Sequence, residues 1–540
     1  MQTARARLVL LFASTALPAA AEAAAMHAVG FLRTRAIAPQ FSAVWPYSMF
    51  HDLRWVLVYH NSWFSLGTKL LAAVVVHGLL CAVYVALAWP MEIPRPPLRR
   101  LAGRSLVFAA FIALLLLPWA TIAVATAQFA LAWILLLELV PLLVLAPLVA
   151  RGGVVSDWWR GLPTLRLAGW SLLTFVALTI GGALVAATPG WFAVATAGAM
   201  GAVNGLIWLG LVRDALRQKP VLYRLAPVAP IVAVLTVASV YAVDLVAVRL
   251  ISTGPQSAPS TTVLPPVPQA VIYLAGFNST YPGDPAPPAG PVWRFSYRGT
   301  NADGRARPYA PSDTHQSIVD SARLLAEQVD RVHAVTGRPV ALIGESAGAM
   351  IVRFYLARLR HPAVTSAVLS DPLVRAGRTY YPPPGADSGW GIGTGWLLRG
   401  LLVVPGGPLP DDVDQPFLRS LLDNAPLFRN ELLCPVPGVR MMAFLPTIDT
   451  LALPPPGLPD IPLIEVGAIH APLINRPAVQ KIIGAFLNGE LGITPERRHY
   501  RGRLAFFVAW QAPALPIRLN PVWRTQTDTD VLFQRVGCPA

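Results

Sequence analysis

Apolar and polar positions divide the chain into two unlike halves. In the first, six apolar runs follow one another over approximately 69–89, 105–124, 128–150, 167–187, 191–212 and 228–248. Each reaches the ~20 residues that a helix needs to cross about 30 Å of hydrocarbon. An earlier segment, Leu8 to about Phe31, is weaker and rich in alanine. In the second half the runs are short and alternate with helical patterns. Strands are predicted at 270–276, 292–299, 339–344, 365–371, 440–446 and 462–468, and helices at 315–335, 347–360 and 477–488. Strands alternating with helices predict a parallel sheet covered on both faces.

The stretch between, residues 253–269, "TGPQSAPSTTVLPPVPQ", has no apolar period and reads as a linker. The expected organisation is an α-helical transmembrane bundle of six or seven helices over 1–252, that linker, and an α/β domain over 270–488. A long insertion at 372–438 interrupts the domain, and a tail at 489–540 is expected to pack back onto it.

Composition agrees with a membrane-embedded first half: 54% of residues are apolar and only 13% are charged. Residues 1–254 carry 18 Lys/Arg and 7 Asp/Glu, and so supply most of the net charge of +15. Arginines cluster in the loops near 90–104, 151–166 and 213–227, whereas the turns near 126–128 and 187–190 have none. By the positive-inside rule the arginine-rich loops face the cytoplasm, which puts everything after Arg249 outside. The basic balance thus reports topology, and no nucleic-acid motif accompanies it; the expected partner is the lipid bilayer. The first segment reads either as a seventh helix or as a cleaved signal peptide with Arg5, Arg7 and the small residues "PAAAEA". The aromatic stretch "WPYSMFHDLRWVLVYHNSWF" suits an outer membrane interface.

Chemistry gathers in the second half. "GESAG", residues 344–348, sits between a predicted strand and a predicted helix. A sharp turn there projects the Ser346 hydroxyl away from the backbone, and Gly344 and Gly348 let the flanking segments come close. This is the G-x-S-x-G nucleophile-elbow pattern. A base and an orienting acid must follow, and two strand ends provide them: Asp449 after "RMMAFLP" and His470 after "PLIEVGA".

On these residues the stretch 270–488 resembles the α/β-hydrolase superfamily, of the esterase or lipase type. The resemblance implies Ser346 as nucleophile, His470 as general base and Asp449 as its orienter, with Asp371 in "LSDPL" a rival acid. It also implies an oxyanion hole from the amide of Ala347 and one in the loop after "VIYLAG", with Phe277 placed ahead of Asn278. Where lipases carry H-G-G-G or H-G, this chain has Ala275-Gly276-Phe277. The implied reaction is cleavage of an ester, or transfer of its acyl group to another alcohol, with a lipid substrate favoured by the membrane tether. No cofactor or metal is expected, since three cysteines without C-x-x-C spacing do not make a zinc site.

Three further expectations follow. Glu138 and His77 fall inside apolar runs, where ionisable groups are costly. They motivate a different reading, a transporter or lipid-handling protein whose outer domain is not catalytic. The apolar, glycine-hinged stretch 389–407 is a candidate lid over Ser346 or a segment dipping into the membrane surface. Cys434 and Cys538, the two cysteines of the outer half, are expected to form a disulfide.

Overall fold

The structure, a computed structural model, describes residues 2–32, 34–126, 140–217, 227–236, 264–283, 292–302, 305–360, 362–372, 387–403, 416–424, 427–446, 461–466, 473–490, 508–510 and 538, with isolated positions besides. The first half contains α1 (Gln2–Ala28), α2 (Tyr47–Val58), α3 (Trp63–Ala88), α4 (Leu98–Thr126), α5 (Val140–Val149), α6 (Leu165–Ala187) and α7 (Phe192–Arg217). Among the described residues, five stretches of helix are long and apolar enough to cross a membrane: Ala4–Ala28, Trp63–Ala88, Leu98–Thr121, Leu165–Ala187 and Phe192–Arg217. The runs 128–150 and 228–248 fall partly outside the described residues, as does Glu138.

The first segment is a helix seated in the bundle. It meets α7 across Gly198, Gly201 and Gly205, small residues at the spacing that lets two helix backbones approach in lipid. A Cβ on Gly201 would stand 2.5 Å from the Thr15 carbonyl, and one on Gly205 would stand 2.9 Å from the Phe12 ring.

The connection between α1 and α3 departs from expectation. Instead of lying at an aromatic interface, a 3-10 segment (Thr34–Ser42) and α2 fold into the bundle, and Trp45, Tyr47, Phe50 and Arg54 are buried. Their polar groups explain why this is tolerated, because they find partners on neighbouring helices, within the segment itself and in the tail. Asn204 Nδ2 donates to the Pro39 carbonyl at 2.7 Å and Trp208 Nε1 to the Ser42 carbonyl at 3.0 Å. The Tyr47 hydroxyl donates to the Ser171 carbonyl at 3.1 Å, and Trp45 Nε1 to Cys81 Sγ at 2.7 Å. Satisfied in this way, irregular backbone can sit at membrane depth.

The second half builds one parallel six-stranded sheet from β1 (Ala270–Leu274), β2 (Val292–Arg294), β3 (Val340–Glu345), β4 (Val364–Ser370), β5 (Arg440–Pro446) and β6 (Leu463–Val466). Their order is β2-β1-β3-β4-β5-β6. Helices α8 (Ile318–Thr336), α9 (Ala347–Arg358), α10 (Ile392–Val403), α11 (Pro416–Asp423) and α12 (Pro477–Leu487) belong to this half. β1 and β3 are buried along their whole length, as a strand covered on both faces requires. Separate apolar clusters lie on the two faces, one around Leu325 and Met350 and one around Tyr273 and Ile483.

Two pieces of the second half dock onto the first. Helix α10, from the candidate lid, packs against α2, α3 and α4. The tail does not pack only on the sheet domain: its turn Val508–Trp510 is buried in the helical bundle. The Trp510 indole stacks on Phe175 with centroids 4.9 Å apart and donates to Thr179 Oγ1 at 2.9 Å. The Ala509 carbonyl accepts from Gln40 Nε2 at 2.8 Å and from Arg54 at 3.2 Å. An indole gains more among aromatic rings with an acceptor at its N–H than on a wet domain surface, which accounts for the tail's route. Cys538 then returns to the second half in a disulfide with Cys434, their Cα atoms 5.3 Å apart. Cys81 is buried and outside any disulfide.

Candidate functional site

The sheet order sets where a ligand can bind. From β1 the chain crosses to β2 on one side, then returns past β1 to β3 and continues the other way. The loops leaving β1 and β3 therefore diverge, and a crevice opens at the carboxyl ends of these two strands. Ser346 follows β3 and Gly276 follows β1, so both lie at that crevice.

Ser346 has φ of 51° and ψ of −114°, a conformation that costs energy for a residue with a side chain. Its neighbours enforce it. A Cβ on Gly344 would fall 2.5 Å from the Gly348 carbonyl oxygen, and one on Gly348 would fall 2.5 Å from the Leu274 carbonyl oxygen. The elbow can pack this tightly only with glycine at both positions. Across the crevice, a Cβ on Gly276 would stand 3.1 Å from Ser346 Cβ and 3.6 Å from its Oγ. The backbone after β1 is thus drawn up against the serine side chain. The Ser346 amide donates to the Ser370 carbonyl at 2.9 Å, tying the elbow to the end of β4.

Ala347 opens α9 and is buried. The first amides of a helix have no carbonyl within their own helix to bind, which suits that N–H to an anionic oxygen. The loop after β1 is held by the 3-10 turn Pro311–His315. Phe277 stacks on His315 with ring centroids 4.5 Å apart and packs near Phe417 at 5.0 Å. Asn278, at φ of 59°, accepts through Oδ1 a hydrogen bond from His315 Nε2 at 2.6 Å, and its backbone amide donates to Thr314 Oγ1 at 2.9 Å.

Glu345, the residue before the serine, is buried and accepts a hydrogen bond from the Tyr273 hydroxyl on the neighbouring strand. Burial first, and then the Glu345 charge, hold the Tyr273 phenol well above its ordinary pKa, so it keeps its proton for that bond. Arg294 lies over the Tyr273 ring at 4.8 Å. The "x" of a G-x-S-x-G pattern carries no assigned role, so sequence reasoning passed over this pair. The His315–Asn278 contact was equally unmarked, because a histidine near an aspartate at a helix start reads as a cap.

Of the acids and bases named from the sequence, Asp449 and His470 lie outside the described residues. Asp371 is described: it follows β4 directly, is buried, and has φ of 49°. Its amide donates to the Phe444 carbonyl at 3.1 Å, which places it beside the end of β5 at the same carboxyl edge as Ser346.

Comparison with family models, with curated proteins and with solved structures finds no match to this chain. What the structure itself defines is a class: five helices able to span a membrane in the first half, followed by a C-terminal, mostly parallel sheet.

Proposed function

We propose that the chain is a membrane-anchored serine hydrolase with an α/β-hydrolase outer domain, acting on an ester from the extracytoplasmic side. The observation that carries this reading is Ser346: a half-buried serine directly after β3 at φ of 51°, forced there by two glycines and faced by Gly276. Strain at one side chain on a switch-point crevice is what a nucleophile elbow requires. In the proposed reaction Ser346 Oγ attacks the ester carbonyl while His470 takes its proton. The amide of Ala347 and one from the Phe277 loop hold the developing oxyanion. The alcohol leaves with the proton from His470, and water or a second alcohol then takes the acyl group from the serine. Asp449 is the proposed orienter of His470, with Asp371 the alternative on the neighbouring strand.

Sidedness is supported by two facts. A disulfide joins Cys434 to Cys538, and disulfides persist in oxidising compartments. The outer half also docks at residues 59–61, the end of the bundle opposite the arginine-rich loops. Because α10 rests on the membrane half, the favoured substrate is an ester carried by a lipid.

A fluorophosphonate probe tests the reading on full-length protein in membranes. Labelling of the native chain at Ser346, absent after heat denaturation and in Ser346→Ala, is expected. Folded protein that stays unlabelled would overturn it and favour a non-catalytic outer domain.

A further inference from the structure

Nothing in a hydrolase reaction uses the ionisable groups inside the bundle, yet four of them form a file. Glu22 on α1, His51 and Asp52 on α2 and His77 on α3 stand in line. Glu22 Oε1 is 3.0 Å from His51 Nε2, His51 Nδ1 is 2.8 Å from Asp52 Oδ1, and Asp52 Oδ2 is 2.7 Å from His77 Nε2. The first two contacts are well-formed hydrogen bonds. The third is an ion-pair contact with poorer hydrogen-bond alignment. His51 and His77 are buried, and both carboxylates are at most one-sixth exposed.

The atoms matter more than the residue types. Each interior member contacts one neighbour through one atom and the next neighbour through a different atom. His51 uses both ring nitrogens and Asp52 uses both carboxylate oxygens. An imidazole passes a proton on by receiving at one nitrogen and releasing from the other, and a carboxylate between two partners does so by turning about its Cβ–Cγ bond. The donors also point at one another instead of converging on a point, so the cluster suits a proton and leaves no place for a cation. Among the described residues no set of three such side chains converges in a way that would hold a metal.

The file has a direction. Glu22 is six residues from the end of α1 at Ala28, about 9 Å along the axis, and His77 is fourteen residues into α3 from Trp63, about 21 Å. It therefore leads from near the end of the bundle where the outer half docks to its middle. At the entry, Glu22 Oε1 also accepts from Trp55 Nε1 at 2.9 Å, while Oε2 is buried without a hydrogen-bond partner. The charged groups around it are few. His27 and Arg35 pair with each other at 3.0 Å farther out, and Arg54 is turned to Gln40 and the Ala509 carbonyl. Lys69 binds the Tyr59 carbonyl near the outer end of α3. Helix α4 contributes Ser105 and no charge beyond its first turns, and α7 has none before Arg213. One turn below His77 stands Cys81, hydrogen-bonded by Trp45.

We propose that Glu22, His51, Asp52 and His77 form a proton-transfer path of the membrane half. One proton enters on Glu22 and moves to His51 Nε2. The Nδ1 proton moves to Asp52 Oδ1, and the protonated carboxyl turns about its Cβ–Cγ bond to release that same proton to His77 Nε2. Each step breaks one O–H or N–H bond and forms one, and one positive charge is displaced toward the centre of the bundle. This is an activity separate from ester cleavage and does not depend on Ser346.

Full-length protein reconstituted in liposomes and adsorbed on a solid-supported membrane, with a rapid acidification of the bath, tests it. Because the path ends at the middle of the bundle, the native chain is expected to give a transient displacement current that protein-free vesicles lack. Asp52→Asn and His77→Gln are each expected to reduce the displaced charge by about ten-fold or more, since each interrupts a single-file relay in a low-dielectric bundle. A native chain that displaces no more charge than protein-free vesicles overturns the proposal. So does an Asp52→Asn protein that is monodisperse and displaces as much charge as the native one. Should Asp52→Asn fail to fold, Glu22→Gln at the entry decides the matter by the same readout.

Discussion

The elbow around Ser346 and the segment folded in between α1 and α3 both hide polar groups from water, but they find partners over very different distances. At the elbow the partners are neighbours in the sheet: the Ser346 amide reaches Ser370 on β4, and Tyr273 reaches Glu345 across one strand pair. In the bundle, Gln40 and Arg54 meet the Ala509 carbonyl across 469 and 455 positions of sequence. Trp510 meets Thr179 across 331 positions. The site is thus rigid by local backbone geometry, whereas the bundle core is closed by the far end of the chain. The two halves are consequently not separable modules, although each has its own apolar core.

The largest expected effect lies on the local side of that comparison. Ser346→Ala removes the proposed nucleophile, and ester turnover by the full-length chain should fall by about a thousand-fold or more, since members of a triad act as a unit. The fold should persist, because alanine changes neither the backbone hydrogen bonds nor the glycines that set the turn. A variant keeping more than a tenth of the native rate would place the chemistry elsewhere.

On the long-range side, Trp510→Ala should cost about 3–5 kcal/mol of bundle stability, the usual loss for a fully buried large aromatic. Trp510→Phe keeps the stacking on Phe175 and gives up only the bond to Thr179, so it should lose about 1 kcal/mol. Unfolding of the two variants in detergent, followed by tryptophan fluorescence, measures both. Equal stability of native and Trp510→Ala protein would show that the tail merely lies against the bundle.

This contrast also explains what was legible in the sequence. The strand–turn–helix at "GESAG" could be read because its residue pattern is complete within five positions, and the strand positions followed from short apolar runs between turn residues. The five long helices could be read because lipid makes the same demand at every turn. The buried placement of residues 34–58 could not. "WPYSMF" is as fit for a membrane interface as for a bundle interior, and only Asn204, Trp208 and Ser171 on distant helices decide between them. His77 read as a solitary charge for the same reason: its partner Asp52 lies on a helix that hydropathy does not mark as a span. Nor does anything local in "FFVAWQ" reveal that its tryptophan has a socket in α6.

A smaller effect is expected from the disulfide. It spans 104 positions, for which the chain-entropy estimate is about 4.7 kcal/mol. The tail is already pinned at Trp510, so less of that entropy remains to be removed, and reduction should cost about 2–4 kcal/mol. Reducing the bond in native and Trp510→Ala protein breaks the comparison open. If the bundle socket and the disulfide hold one tail between them, reduction should destabilise the Trp510→Ala variant more than the native chain. Additive losses would mean that the two anchors act independently.

The smallest effect concerns the contact through which α10 rests on the membrane half, and it has a definite sign in pH. His60 is buried between α2 and α3, with Nδ1 2.7 Å from the Val56 carbonyl. That nitrogen must carry the proton, which leaves Nε2 to accept from the Gly393 and Thr394 amides at 2.9 and 3.3 Å. An imidazole in this role has to be neutral, and burial lowers its pKa from 6.5 to about 4. Between those values the undocked chain binds a proton that the docked chain excludes. Docking is therefore fully favoured above about pH 6.5 and weakens as the pH falls toward 4, by up to about 3 kcal/mol in all. Hydrogen exchange reads this directly at Gly393 and Thr394. After correction for intrinsic rates, their protection should fall about ten-fold per pH unit across that window, while amides of β3 stay unchanged. In His60→Ala the protection should be low at every pH. A native profile flat from pH 7 to 4 would mean that α10 is held by its apolar contacts alone, without the histidine cap.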